Sequence, residues 1–542
     1  MIAELHFRTR RIAALALAGA VSALTGCSSS AHDALPTPQT KSLAPVSFSI
    51  AWPSSAGQSA ARKPQFVSPS AQSALVTVNA DPSLSAFVNK GSSALSSLAL
   101  QAPVGTDTFV VSLYDAPQTS AGAPSGTLLG QVTVVQPVVA GTLNTVSAVV
   151  NGIVRSVTID PLPNQPYLAS TRGGYAVVGP HSITLAVTPR DADGNAIVPP
   201  GIAPGVTLQT NSGNSYFAVL PGSGPSQFNI VATAQAPAGY TGTLTARATD
   251  TQNTTVTTTS SIAQRSEVFV AYASGSVLAY DDAGTPVQLA SGAFSGLQKP
   301  VSLAYDPSDQ TMFVADSGSG TIHAFDTDGN PRSGFTPSPI AGVTSVAWSS
   351  RIFQDQILGV SSASAIIASS FTGGATGDTA TLSPFAVTSA TGGAYVPPSA
   401  TQSEVWLVSN ASTQQLDAYT LYGAAPFWGL QHVPLAPVTG TPGQILASLD
   451  GTTAWVSGTV SGSGELWRLP LTASAPPAIA VADPNLPAEL AYDSALDRIF
   501  VAESSAGTVA AYAPDLTLDP TIVLRPPSSA GVSNPQGVAV AY

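Results

Sequence analysis

One cysteine in 542 residues is the sharpest scarcity in this sequence. A lone thiol closes no internal disulfide and cannot contribute to a cysteine-ligated metal site, so stability has to come from packing. Charge is scarce as well: Asp, Glu, Lys and Arg make up 9% of the chain, with a net charge of −12. No Lys/Arg stripe is present to replace phosphate counterions, which excludes nucleic acid as an expected partner. Helical periodicity is missing over residues 45–151, where short alternating runs and turn residues take its place.

What is present begins with Arg8, Arg10 and Arg11, followed by an apolar run from Ile12 to Leu24. That run is too short to span a bilayer comfortably and ends in small residues, so residues 1–26 read as a cleaved export signal. Residues 27–44 then read as a flexible tether, rich in small residues and proline.

The four residues Leu24-Thr25-Gly26-Cys27 resemble the bacterial lipobox. That resemblance implies cleavage before Cys27, a diacylglyceryl group on its thiol and acylation of the new amino terminus. Several acyl chains make release from a membrane slow. Ser28, in place of an acidic residue, implies an outer-membrane or cell-surface lipoprotein, held at the membrane through its N-terminal lipid.

The fold class expected is all-β. Residues 45–151 carry alternation at Val46, Phe48 and Ile50 and β-branched runs over 75–78, 108–113, 131–136 and 145–150. Residues 152–262 repeat the pattern over 154–159, 182–187, 227–234 and 241–248. Residues 102–115 and 138–146 are similar to the closing half of immunoglobulin-like modules of bacterial surface proteins. Two such β-sandwiches are therefore expected, as a stalk.

From 265 to 542 a core-strand phrase recurs, as in 267–272, 311–316, 356–360, 404–409, 453–457 and 498–503. Taking Phe269, Phe313, Leu358, Trp406, Trp455 and Phe500 as equivalent gives a period of about 45 residues, which suits one four-stranded unit and leaves no room for a full βα repeat. Before the core strand comes a phrase such as Leu303-Ala-Tyr-Asp306 or Leu490-Ala-Tyr-Asp493. The first repeat lacks it, and residues 534–542 supply it, so a six-bladed ring closed by its C-terminal strand is expected. The phrases 299–306 with 312–329, and 490–493 with 499–509, resemble NHL and YVTN-type six-bladed β-propellers. Members of that group include binding modules, lactonases and lyases, so the fold does not choose among them.

Candidate chemistry is sparse. His32, His181, His323 and His432 share no metal-ligand spacing. Asp316 and Glu503 occupy equivalent strand ends; propeller lactonases hold a divalent ion with such side chains, and carboxylates suit Ca²⁺. Turn capping explains the same residues. Asp191 and Asp326 each open an Asp-x-Asp-Gly-Asn phrase that lacks the remaining ligands of a calcium loop. The leading expectation is a cell-envelope binding or scaffolding lipoprotein engaging a protein or glycan through its propeller. A metal-dependent lactonase or lyase at the channel mouth and a purely structural envelope component are the alternatives.

Overall fold

The computed structural model describes residues 42–52 and 68–542 apart from short breaks, the longest being 370–388. Residues 1–41 lie outside it, and with them the export signal, Cys27, His32 and nearly all of the expected tether. Within that tether's expected range, Leu43 already opens a strand, Leu43–Ala51. The described chain is all-β, with one short 3₁₀ turn at Ser528–Ala530. Among the described residues no helix is long and apolar enough to cross a membrane.

The first part contains two sheets. One has the order 95–103, 43–51, 144–146; the other has the order 81–89, 73–78, 105–114, 128–138, 151–152. Val46, Phe48 and Leu98 of the first sheet and Val76, Phe109 and Val111 of the second share one core. The expected strand over 145–150 stops at Val146. A second pair of sheets follows, five strands built around 241–249 and 255–265, and four around 182–190 and 227–232. Leu185, Phe217, Ile230, Leu244 and Ile262 are fully buried between them. Strand Thr255–Arg265 had no signal in the sequence, because apart from Val256 its residues up to Ser261 are all Thr or Ser.

Among the described residues from Glu267 onward there are six small antiparallel sheets. Their first strands are β1 (Pro300–Asp306), β2 (Val343–Arg351), β3 (Ala390–Val396), β4 (Thr441–Ala447), β5 (Pro487–Asp493) and β6 (Pro535–Ala541). Strands β1 to β5 each pair with the strand that follows them. Strand β6 instead pairs with Glu267–Tyr272, far back in the chain, with Phe269 opposite Ala539. Each first strand packs against the next, and β6 packs against β1.

All six first strands share an irregularity: the register shifts just before Ser302, Ser345, Gly392, Ile445 and Leu490, and between the Ala271 and Tyr272 partners of β6. A bulge of this kind bends a strand and takes backbone groups out of the ladder. The pairing also corrects one repeat position. Phe313, Leu358, Trp455, Phe500 and Phe269 lie opposite Ala304, Ala347, Leu446, Ala491 and Ala539, but Ala394 faces Leu407 and not Trp406. A one-residue slip exchanges the two faces of a strand, so Leu407, and not Trp406, is the equivalent of Phe313.

Removing residues 536–542 takes away Val538 and Val540, both buried, and bares the edge of 267–272. At roughly 2–3 kcal/mol per buried valine, the expected loss is about 5 kcal/mol or more. Urea unfolding followed by near-UV circular dichroism measures it; an unchanged midpoint would contradict the role given to this strand.

Candidate functional site at the convergence of the first strands

The six positions at the bulges are Ser302, Ser345, Gly392, Gln444, Glu489 and Gly537. Glu489 on β5 is only 5% exposed. Its Oε2 accepts the N–H groups of Val538 on β6, at 2.8 Å, and Leu303 on β1, at 2.9 Å, while its Oε1 accepts the Ser302 hydroxyl. Gln444 on β4 makes a matching set in the other direction. Its Nε2 donates to the carbonyls of Thr391 on β3, at 2.9 Å, and Thr344 on β2, at 2.8 Å. Two side chains thus tie six strands in two groups of three. The Val346 N–H on β2 donates to Ser302 Oγ at 3.1 Å, joining the groups on one side, and the Ser457 hydroxyl donates to the Ala488 carbonyl on the other.

The glycines make room for this. A Cβ on Gly537 would stand 3.1 Å from Glu489 Oε2, and one on Gly392 would stand 2.6 Å from the Gln444 Cα. Burial pushes the Glu489 carboxyl up to about 8, against the three donors that favour its ionised form.

Above this floor opens a cavity of about 220 Å³ lined by residues of all six first strands. Aliphatic side chains line its wall: Leu303, Val346, Ile445, Leu490 and Val538 form one level, with Ala304, Ala347, Ala394, Ala491 and Ala539 at the next. Tyr305, Trp348, Tyr395 and Tyr492 form a third level, with Tyr542 beside them. The aromatics are braced from behind. Tyr395 packs against Trp406 with centroids 5.0 Å apart, Tyr492 stacks on Trp455 at 6.2 Å, and Tyr305 meets Tyr542 edge to face at 6.4 Å. Tyr305 Oη and Trp348 Nε1 are buried without a hydrogen-bond partner.

The carboxylates singled out in the sequence are elsewhere. Asp316 pairs with Pro300 and Glu503 with Pro487, at the strand ends away from Tyr305 and Tyr492, and neither lines the cavity. Asp316 accepts the N–H groups of Lys299 at 2.6 Å, Gln298 at 2.9 Å and Gly318 at 3.1 Å. Burial works to raise its carboxyl, but these bonds outweigh burial and hold it below the usual range. Glu503 accepts the Thr508 hydroxyl at 2.9 Å, and burial pushes its carboxyl up. Asp191 and Asp326 cap their own turns, accepting the N–H groups of Asn195 at 2.9 Å and Asn330 at 2.8 Å. Among the described residues no three His, Cys, Asp or Glu side chains converge as a metal site.

Of the histidines, His181 lies where the second pair of sheets meets the ring. Its ring stacks on Tyr167 at 3.4 Å, and its Nε2 sits 2.9 Å from Glu267 Oε2. Arg265 pairs with Asp281 at 2.7 Å beside it. His323 is held by Thr321 Oγ1 at 2.8 Å, and burial lowers its affinity for a proton. His432 lies in strand Phe427–Pro437.

The Tyr305 and Tyr492 phrases were visible in the sequence as strand markers. That their aromatic residues ring one cavity, with Glu489 and Gln444 beneath, needed the convergence of β1 to β6.

No family model matches the chain, and no curated protein matches it. Among solved structures, TolB from Acinetobacter baumannii is similar over 56% of this chain and 80% of its own, at 11% identity and a TM-score of 0.38. A putative 6-phosphogluconolactonase from Bacteroides uniformis matches over 51% and 99%, at 12% identity and 0.37. An auxiliary nutrient binding protein from Bacteroides ovatus matches over 67% and 85%, at 10% identity and 0.34. At these levels the likenesses assign no ligand or reaction to this chain.

The Glu489 carboxyl gives a pH signature. Its folded value, about 8, lies above its ordinary 4.5, so between those values the folded chain keeps a proton that the unfolded chain releases. Stability contributed by this group is therefore full below pH 4.5 and falls by about 1.4 kcal/mol per unit as pH rises toward 8. Glu489→Gln is expected to lower the slope by about that amount in urea titrations from pH 5 to 8, and Glu489→Ala to cost several kcal/mol at every pH by stranding three donors. Parallel slopes for wild type and Glu489→Gln would refute the assignment.

Proposed function

We propose that this chain is an exported lipoprotein, anchored through Cys27, and that its six small sheets are a closed six-bladed β-propeller carried on two immunoglobulin-like modules. The propeller acts as a binding module of the cell envelope through the aromatic end of its central cavity. The cyclic packing of β1 to β6 and the pairing of β6 with 267–272 support the closed ring. The observation that carries the binding reading is the cavity itself: a funnel lined by aliphatic side chains, with Tyr305, Trp348, Tyr395, Tyr492 and Tyr542 at one end and hydrogen-bonded Glu489 at the other. Ligand sites are characteristically concave and apolar with a few placed polar groups. The lactonase or lyase alternative draws no support from Asp316 and Glu503, whose oxygens serve their own turns and neighbours.

Two measurements test this. Replacing Cys27 by alanine is expected to move the protein from the membrane fraction to the soluble extract; persistence in the membrane fraction would refute the anchor. Lipid-free protein starting at residue 28 is expected to sediment with isolated envelopes of the producing cells, and Tyr305→Ala with Trp348→Ala to weaken this at least tenfold. Unchanged sedimentation would remove the cavity mouth as the binding end.

A further inference from the structure

The funnel has two features that together select a ligand class, provided the mouth is the binding end as proposed above. The first is its order from rim to floor. Aromatic side chains stand three residues above the level of Glu489, about 10 Å at the usual rise of a strand. Between them lie only alanine and branched aliphatic side chains. A group that enters must have an apolar stem and a tip that satisfies a carboxyl. The second is charge. Of the charged residue types, the described lining carries Glu489 alone, with the aromatic side chains at the other end. Aromatic rings and a carboxyl group both favour a cation. An anionic group would meet the Glu489 carboxyl at the floor.

We propose that the funnel receives a primary alkylammonium group on an unbranched apolar stem, with the stem against the alanine and aliphatic wall and the ammonium on the Glu489 carboxylate. The rim rings attract the cation as it enters. At the floor an ammonium favours the ionised form of Glu489, whose Oε1 and Oε2 already take three donors from β1 and β6 and keep a fixed orientation. The same chemistry is carried by a lysine side chain of an envelope protein and by a free aliphatic diamine.

Isothermal titration of the lipid-free chain starting at residue 28 tests this with n-pentylamine, n-pentanol and pentanoate, matched in stem length. The amine is expected to bind at least tenfold more tightly than either of the others. Glu489→Gln is expected to weaken the amine at least tenfold while leaving pentanol within twofold. Should that variant fail to fold, Tyr305→Leu with Trp348→Leu, which leaves the floor intact, is expected to produce a similar loss for the amine. Capped lysine and cadaverine distinguish the two sources: tighter capped lysine points to a protein partner, tighter cadaverine to a free diamine. Pentanol binding as tightly as pentylamine, or pentanoate more tightly, would overturn the ligand class while leaving a binding mouth in place. Envelope sedimentation that ignores the rim variants, with no heat from any of the three probes, would overturn the mouth as well.

Discussion

The Glu489 carboxyl is the contact on which the centre of the ring depends. Six strands that converge and bulge at one level release backbone N–H and C=O groups from their ladders, and such groups are costly to leave unpaired away from water. Glu489 collects two of these N–H groups and a hydroxyl from two other strands, and Gln444 collects two carbonyls. An acceptor serves where donors are exposed, and a donor where carbonyls are exposed. The choice of a carboxyl in one place and a carboxamide in the other follows from what each must satisfy.

This arrangement departs from six-fold repetition. Reading round the ring, the bulge positions run Glu489, Gly537, Ser302 in one direction and Gln444, Gly392, Ser345 in the other. Each long side chain is followed by a glycine that clears its path and then a serine. The near-mirror order means that the strands are not interchangeable. A buried polar contact that fits only one neighbour order gives the ring a specific arrangement beyond what its alternating Val, Ala and aromatic residues impose.

Much of the architecture could be read along the chain. The 45-residue period, the all-β pattern and the missing first strand of the 267–272 sheet were plain, because period-two alternation and turn residues are local signals. The Thr-rich strand 255–265 escaped notice because its polar residues hide the alternation, and Trp406 displaced Leu407 because an aromatic residue weighs more in a pattern than its register does. The site was less legible. Asp316 and Glu503 repeat because turns repeat, whereas Glu489 and Gln444 matter because they break the repeat, and a search for recurring residues passes over them. Burial and convergence gave them meaning, and neither is written in local sequence.

The pairing of Phe269 with Ala539 has a kinetic side. Both pairs of sheets in the first half complete their strand pairing within their own stretches, up to Arg265. The inner edge of 267–272 stays unpaired until 535–541 is in hand, and contacts between segments so distant in the chain form slowly. The two pairs of sheets can therefore form before the pairing of 267–272 with 535–541, which comes as a late step. Until then the edge of 267–272 is exposed, and this segment is where unwanted strand pairing has its best opening.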